Sequence, residues 1–269
     1  MNESFAPVAA FDAPTLVAPA AWRSIDFISD LHLAEDTPNG VQAWTDYLDG
    51  TSADAVFILG DLFDVWVGDD SRHEGFEARC AAVLARASSK RAIAFMAGNR
   101  DFLLGDEMLQ ACGVLRLHDP TVLSAFGRRV LLTHGDAWCV ADAPYQQFRR
   151  RVRDPVWQAQ ALAQSLPQRR AVAQHMRSES ERHLASRTGP WVDVDSPTAL
   201  HVMCTAQTPT LIHGHTHRPG SDTLASGFVR HVLSDWDLDH TGESRAELLR
   251  WQGGDFMRLP LSQARAATP

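Results

Sequence analysis

The stretch that decides the fold is Val56-Phe57-Ile58-Leu59-Gly60-Asp61-Leu62-Phe63-Asp64. Four apolar residues with no polar alternation predict a strand buried on both faces, as in a sheet covered by other layers. Gly60 lets the backbone turn sharply where the strand ends. Asp61 then stands at the carboxyl end of a buried strand, where open α/β sheets bind their ligands. Taken alone, Asp61 is equally well a loop carboxylate that caps the next helix. The choice depends on whether other strands end the same way.

They do. Residues 24–29 run into Asp30-Leu31-His32, and residues 92–97 into Gly98-Asn99-Arg100-Asp101. Residues 129–133 run into His134-Gly135-Asp136, and residues 210–212 into His213-Gly214-His215-Thr216-His217. Between the early strands, residues 41–48, 77–87 and 107–112 carry apolar side chains at helical spacing. Further short strands are expected within residues 115–126 and over 228–234, with a closing hairpin at 246–251 and 255–259. The alternation predicts an α/β domain over residues 22–269. Residues 1–21, rich in Ala and Pro without a period, are expected to be a disordered or loosely docked arm.

One segment breaks the rhythm. From Pro144 to Pro190 there are few β-branched residues and many Ala, Gln and Arg, which favours helix. Asp154-Pro155 is a helix start with a capping carboxylate and a first-turn proline, and Leu166-Pro167 ends that helix and opens another. This predicts an inserted helical cap at about 143–190. Its nine arginines face only Asp154, Glu179 and Glu181, a local excess of six positive charges in a chain whose net charge is −8. Such a basic segment in an acidic chain is expected to face an anion. Trp157, Leu162, Leu166, Val172 and Met176 are read as packing the cap on itself, with an acyl-chain channel as the alternative.

Composition excludes several classes. At 45% hydrophobic and 22% charged, the 269 residues are those of an ordinary globular protein. The acidic balance excludes nucleic acid as a partner of the whole surface. Cys80, Cys112, Cys139 and Cys204 form no C-x-x-C pair, so they are read as reduced thiols of a cytoplasmic protein, with neither a zinc knuckle nor a disulfide framework. No apolar run is long enough to span a membrane, and the N-terminal residues do not read as a signal peptide. There is no P-loop, dinucleotide or nucleophile-elbow glycine pattern.

The strand ends therefore carry the chemistry. Asp30, His32, Asp61, Asn99, His134, His215 and His217 are all oxygen or imidazole donors. Without thiolate the set suits a borderline divalent metal such as Mn²⁺, Fe²⁺, Co²⁺ or Zn²⁺ in a catalytic site. Seven donors exceed the needs of one ion and fit two if a carboxylate bridges, and Asp61, central in the order, is the natural bridge. Two metals roughly 3.5–4 Å apart are the usual machinery of phosphoester hydrolysis.

The ordered motifs Asp-x-His, Gly-Asp-x-x-Asp, Gly-Asn-Arg-Asp, His-Gly-Asp and Gly-His-Thr-His resemble those of the calcineurin-like metallophosphoesterases. The segments at residues 58–63, 98–105 and 213–219 are more specifically similar to the UDP-2,3-diacylglucosamine diphosphatase family. That resemblance implies a four-layer α/β/β/α sandwich, two Mn²⁺ ions per chain, and hydrolysis of a lipid-linked UDP-sugar at its pyrophosphate to UMP and 2,3-diacylglucosamine 1-phosphate. It implies metal-hydroxide attack on the α-phosphorus, within lipid A biosynthesis. By the family's pattern Asp30, His32, Asp61 and His217 hold one ion, and Asp61, Asn99, His134 and His215 the other. Asn99, Arg100 and His215 fall among the catalytic and substrate-binding positions, and Asp142, Ser180, Leu184 and Arg187 among the substrate contacts.

This chain departs from the pattern at Leu184, where Asn is common, and at Arg187, where Lys is common. Ser180, Leu184 and Arg187 share one helix face at i, i+4, i+7. Arg100 stands where many of the wider superfamily carry a histidine. Arginine cannot donate a proton, so it favours a pyrophosphate-type leaving group that is already a stabilised anion. Its plainer reading is an ion pair with Asp101. The resemblance also implies peripheral contact with the cytoplasmic face of the inner membrane, and no obligate protein partner is expected.

Overall fold

The structure, a computed structural model, describes residues 13–186, 192–240, 242 and 244–264. A first strand β1 (Thr15–Val17) precedes β2 (Ser24–Ile28), α1 (Pro38–Gly50), β3 (Ala55–Leu59), α2 (Gly75–Ser88), β4 (Ala92–Met96), α3 (Asp106–Ala111) and β5 (Leu115–Leu117). Then come β6 (Thr121–Ala125), β7 (Arg128–Thr133) and the three cap helices α4 (Ala143–Val152), α5 (Pro155–Leu162) and α6 (Leu166–Ser186). The chain closes with α7 (Ser196–Thr205), β8 (Thr210–His213), β9 (Gly220–Ala225), β10 (Phe228–Val232), β11 (Glu247–Gln252), β12 (Asp255–Pro260) and α8 (Leu261–Ala264).

Among the described residues, twelve strands form two six-stranded sheets, ordered β12-β11-β2-β3-β4-β5 and β1-β6-β7-β8-β10-β9. The opening stretch shows why the sheets stack. Ala55, Phe57 and Leu59 point into the core between the sheets, beside Phe27, Leu132 and Ile212. Val56 and Ile58 point the other way, into a core shared with Trp44, Leu48 and Leu84 of the flanking helices. A strand buried on both faces alternates its side chains between two apolar layers, which is why it needs no polar alternation. The second sheet is covered in turn by α7, through Val122, Leu131, Leu211 and Met203. The order is helix, sheet, sheet, helix, the four-layer sandwich expected, with α4, α5 and α6 inserted between β7 and α7.

Strands β2, β3 and β4 are mutually parallel, and so are β7 and β8. All five motif-bearing strands therefore deliver their carboxyl ends to the rim of the sandwich. The cap follows its predicted starts: Asp154 accepts hydrogen bonds from the amides of Val156 (2.8 Å) and Trp157 (3.0 Å).

Three elements depart from expectation. Within the arm over residues 1–21, Thr15–Val17 is docked as a parallel edge strand on β6, with Leu16 against Leu123 and the Ala18 amide donating to the Ser124 carbonyl at 2.8 Å. Its side chains alternate between exposed and half-buried, so it carries little apolar signal. Strand β9 is likewise a polar edge strand. Helix α7 was legible in principle, because Asp195 caps it ahead of a first-turn proline, as Asp154 caps α5.

Candidate metal centre

The seven donors meet at the rim of the two sheets. Seven non-glycine residues have positive φ among the described residues, and five of them are donors: Asp30 (55°), His32 (48°), Asp61 (52°), His215 (68°) and His217 (52°). Left-handed backbone costs such residues roughly 1–2 kcal/mol each. It persists only where the surroundings over-determine it, as at binding sites. Here the surroundings are neighbouring loops. The Leu31 and His32 amides donate to the Asp61 carbonyl at 2.8 and 3.0 Å, and the Asp30 amide to that of Gly60 at 3.1 Å. The two loops thus continue the β2–β3 pairing past the strand ends and hold Asp30 and His32 against Asp61.

Close packing needs glycine at two further points. A Cβ at Gly98 would overlap Asp61 Oδ1, and one at Gly214 would overlap Ser29 Oγ and Asp30 Oδ2. Asp101 closes the arrangement: fully buried, it accepts from the amides of Leu62 (2.8 Å), Phe63 (3.3 Å) and Gly98 (2.8 Å), stitching the Asp61 loop to the Asn99 loop. It is therefore not the ion-pair partner expected for Arg100. The Arg100 guanidinium lies 3.8 Å from Asp64 instead, and its amide donates to Asp61 Oδ1 at 2.8 Å.

The donors gather in two groups. Asp30, His32 and His217 offer ligand atoms all within 4.8 Å of one another, and so do Asp30, Asp61 and His134. Asn99 Oδ1 lies 2.9 Å from His134 Nε2 and 2.8 Å from His215 Nδ1. The carboxylate common to the two carboxylate–imidazole groups is Asp30, while sequence order nominates Asp61. His134 Nε2 is 3.8 Å from Asp61 Oδ1.

Several contacts suit a cation between the donors. His134 Nδ1–H donates to the Leu59 carbonyl at 2.9 Å, which turns Nε2 toward Asn99 Oδ1, an acceptor. His32 Nε2 and His217 Nε2 face each other at 3.3 Å. Asp30 Oδ1 is buried, and His217 Nε2 lies 3.4 Å from it. Lone pairs aimed at one another, from oxygen and nitrogen donors alone, fit divalent metal ions.

Without an ion, protons take up that charge. Burial lowers His134, but Asp61, Asp30 and Asp136 overcome it and hold the imidazole up at about 9. Burial, helped by Asp101 and Asp30 and opposed by His134 and Arg100, pushes Asp61 up to about 7. Burial also opposes ionisation of Asp30, yet His217, His134 and His32 hold it well below the usual carboxylate range. His32 is pushed down by burial to about 3 and His215 to about 4. A hydrogen bond to Asp30 and the charges of Asp30 and Asp235 raise His217 against the effect of burial.

A cavity of about 820 Å³ opens from this centre beneath the cap. Its lining includes His32, Asp61, Asn99, Arg100, His215 and His217 together with Phe148, Trp157, Val172 and Met176. Three of the five apolar cap residues read as packing the cap on itself, Trp157, Val172 and Met176, thus face the cavity. Asp142 also lines it and caps α4, accepting from the Tyr145 amide at 3.1 Å. Ser180 and Leu184 lie on α6 with side chains outside the described residues, and Arg187 falls outside them altogether.

The cap arginines are largely committed to the core. Arg149 pairs with Asp136 at 2.8 Å and Arg169 with Asp70. Arg177 pairs with Asp64 at 2.5 Å and Arg170 with Glu77 at 3.2 Å. Residue counting could not separate these inward arginines from a solvated face. Their one legible signal was the excess of carboxylates elsewhere in the chain.

A dimetal-type donor set on a four-layer sandwich defines a phosphoesterase, and residues 23–219 match the family model of the calcineurin-like phosphoesterases; the chain belongs to that family. A Chromobacterium violaceum protein named UDP-2,3-diacylglucosamine hydrolase is 44% identical over 243 residues, covering 88% of this chain and 99% of its own. A Bordetella pertussis protein of the same name is 41% identical over 225 residues, covering 81% of this chain and 87% of its own. Among solved structures, an archaeal phosphodiesterase is 12% identical with a TM-score of 0.46, covering 88% of this chain and 98% of that one.

Proposed function

We propose that this protein hydrolyses UDP-2,3-diacylglucosamine at its pyrophosphate, giving UMP and 2,3-diacylglucosamine 1-phosphate in lipid A biosynthesis. The observation that carries the reading is the single cavity joining polar donors and Arg100 to Phe148, Trp157, Val172 and Met176. A substrate that carries both a pyrophosphate and acyl chains matches that mixed lining.

The two ions are proposed to be Mn²⁺, one on Asp30, His32, Asp61 and His217, the other on Asp61, Asn99, His134 and His215. When bound, such ions act as Lewis acids on phosphate oxygens and acidify water near neutral pH. The protein's own groups set the geometry. The Leu59 carbonyl fixes the His134 tautomer so that Nε2 faces the centre. Arg100, a quarter exposed at the cavity wall, offers a planar fork to phosphate oxygens. Water adds to the α-phosphorus and gives up a proton to solvent, and the bond from that phosphorus to the bridging oxygen breaks. The oxygen leaves with the β-phosphate and needs no proton, which is why an arginine suffices. Asn99, Asp142, Ser180, Leu184, Arg187 and His215 are proposed to complete the substrate contacts.

Peripheral contact with an anionic membrane surface is part of the same proposal. Val156 is an exposed large apolar residue of the cap, and Arg150 and Arg151 are exposed on the helix just before it. No described helix is long and apolar enough to cross a membrane.

The test is hydrolysis in ¹⁸O-water with Mn²⁺. Label in UMP supports attack at the α-phosphorus; label in the sugar phosphate overturns it. Faster turnover of an unacylated UDP-sugar than of the diacylated one would reassign the substrate.

A further inference from the structure

The run Arg149-Arg150-Arg151-Val152-Arg153 reads as surface charge, yet it divides by helical spacing. Arg150 and Arg151 are exposed, whereas Arg149 and Arg153, four residues apart, are only partly exposed. Arg149 Nε donates to buried Asp136 at 2.8 Å, and Tyr145 Oη donates to the same carboxylate oxygen at 2.6 Å. Gln146 Nε2 adds a bond to the Asp136 carbonyl at 2.8 Å. Asp136 lies two residues beyond His134. Arg153 Nη2 donates to the carbonyls of Gly98 (2.8 Å) and Ala97 (3.3 Å), directly before Asn99. Its guanidinium also lies over the Phe102 ring, 5.8 Å from the centroid. One cap helix thus grips both loops that present His134 and Asn99.

The other donors are propped from the core. Ser29 Oγ donates to Asp30 at 2.6 Å and the Trp236 amide to the Asp30 carbonyl at 3.0 Å. Asp235 lies 3.7 Å from His217 Nδ1 and is paired with Arg245 at 2.7 Å.

We propose that Arg149 and Arg153 are positioning residues for one metal position only, the one built on Asn99 and His134. The position built on Asp30, His32 and His217 depends on the core props instead. Because α4 also contributes Tyr145, Phe148 and Arg151 to the cavity wall, whatever settles the cap on its ligand also tightens that one ion. This rests on the two-metal reading above.

The test is Mn²⁺ binding to the full chain by isothermal titration and by electron paramagnetic resonance of free Mn²⁺. Wild type shows two binding events. Arg149→Met and Arg153→Met each weaken one event by about 10–100-fold, as loss of a ligand's supporting partner does. Asp235→Asn weakens the other event, Arg150→Met leaves both at wild-type affinity, and Arg149→Lys restores part of the loss. Circular dichroism identifies any variant that fails to fold, and Arg153→Met, which removes a donor to two carbonyls and a contact with the Phe102 ring but no buried ion pair, keeps the test available if Arg149→Met does not fold. Two unchanged events in the folded α4 variants, or loss of the same event in Asp235→Asn and Arg149→Met, overturns the proposal. Fewer than two ions in wild type overturns the two-metal reading itself.

Discussion

At the rim of the sheets, Asp30, Asp61 and His134 are at most 2% exposed, and five of the seven donors sit on left-handed backbone locked by neighbouring loops. On the cap, Val156 is 65% exposed and Val172 45%, and the helices are tied down by arginine–carboxylate pairs. The rim is positioned by backbone that has no alternative conformation at low cost. The cap is positioned by side-chain contacts that water and anions can replace one at a time. The same chain thus builds a rigid centre and an adjustable wall around one cavity. Substitutions at the rim are therefore expected to act on turnover and metal together, and those in the cap, apart from Arg149 and Arg153, mainly on substrate affinity.

The sharpest way to break this contrast is Asp61→Ala. It removes a carboxylate from the meeting point of the donors and should lower turnover on the order of 10³-fold or more, with loss of both ions. UMP release and bound-metal analysis check it. Full metal content with near-normal turnover would refute the bridging role proposed for Asp61.

Arg100→Ala comes next, since Arg100 belongs to the rim by its backbone and to the cavity by its side chain. Loss of its charge should cost about 10²-fold in kcat/KM while both ions stay bound. Loss of metal in this variant would mean that the guanidinium supports the donors and not the substrate.

The centre should also answer to pH, in a direction the ion-free charges fix. Metal ligands must be deprotonated, and His134 is held up at about 9 and Asp61 at about 7. Below about pH 7 both hold protons that compete with the metal, and above about pH 9 neither does. Mn²⁺ affinity should therefore rise through that window, by up to about tenfold per pH unit where one proton is displaced. Proton release, measured calorimetrically in buffers of different ionisation enthalpy, checks it. Zero release at pH 7.5 would mean that the ligands are already bare.

Much of the rim was legible in the sequence, because each donor follows an apolar run and a two-faced strand writes itself as such a run. Val56, Ile58, Phe57 and Leu59 serve two cores, yet both demands are for apolar side chains, so the pattern survives in one dimension. The partners of those donors were not legible. Asp101 was read as a possible mate for Arg100 and instead caps three amides of two loops. Asp136 and Arg149, thirteen residues apart, meet only because the cap folds back onto its own stem. Edge strands such as Thr15–Val17 escape for the converse reason: half of such a strand faces water, and its pairing is a property of the backbone.

The smallest effect tests the cap side of the contrast. Arg177 on α6 pairs with Asp64 at 2.5 Å, but the arginine side chain is 40% exposed and the carboxylate 11%. An ion pair so open to water is screened, and such pairs contribute about 0–1 kcal/mol. Arg177→Met should therefore raise KM by no more than about fivefold, the equivalent of 1 kcal/mol, with kcat and Mn²⁺ affinity near wild type. Asp64 also lies 3.8 Å from Arg100, so freeing it from Arg177 leaves that carboxylate closer to a cation the substrate needs. A rise in KM that disappears in Arg177→Met/Asp64→Asn would place the effect in that competition. A drop in metal affinity would instead make this part of the cap as rigidly coupled to the rim as α4 is, and the division between the two regions would fail there.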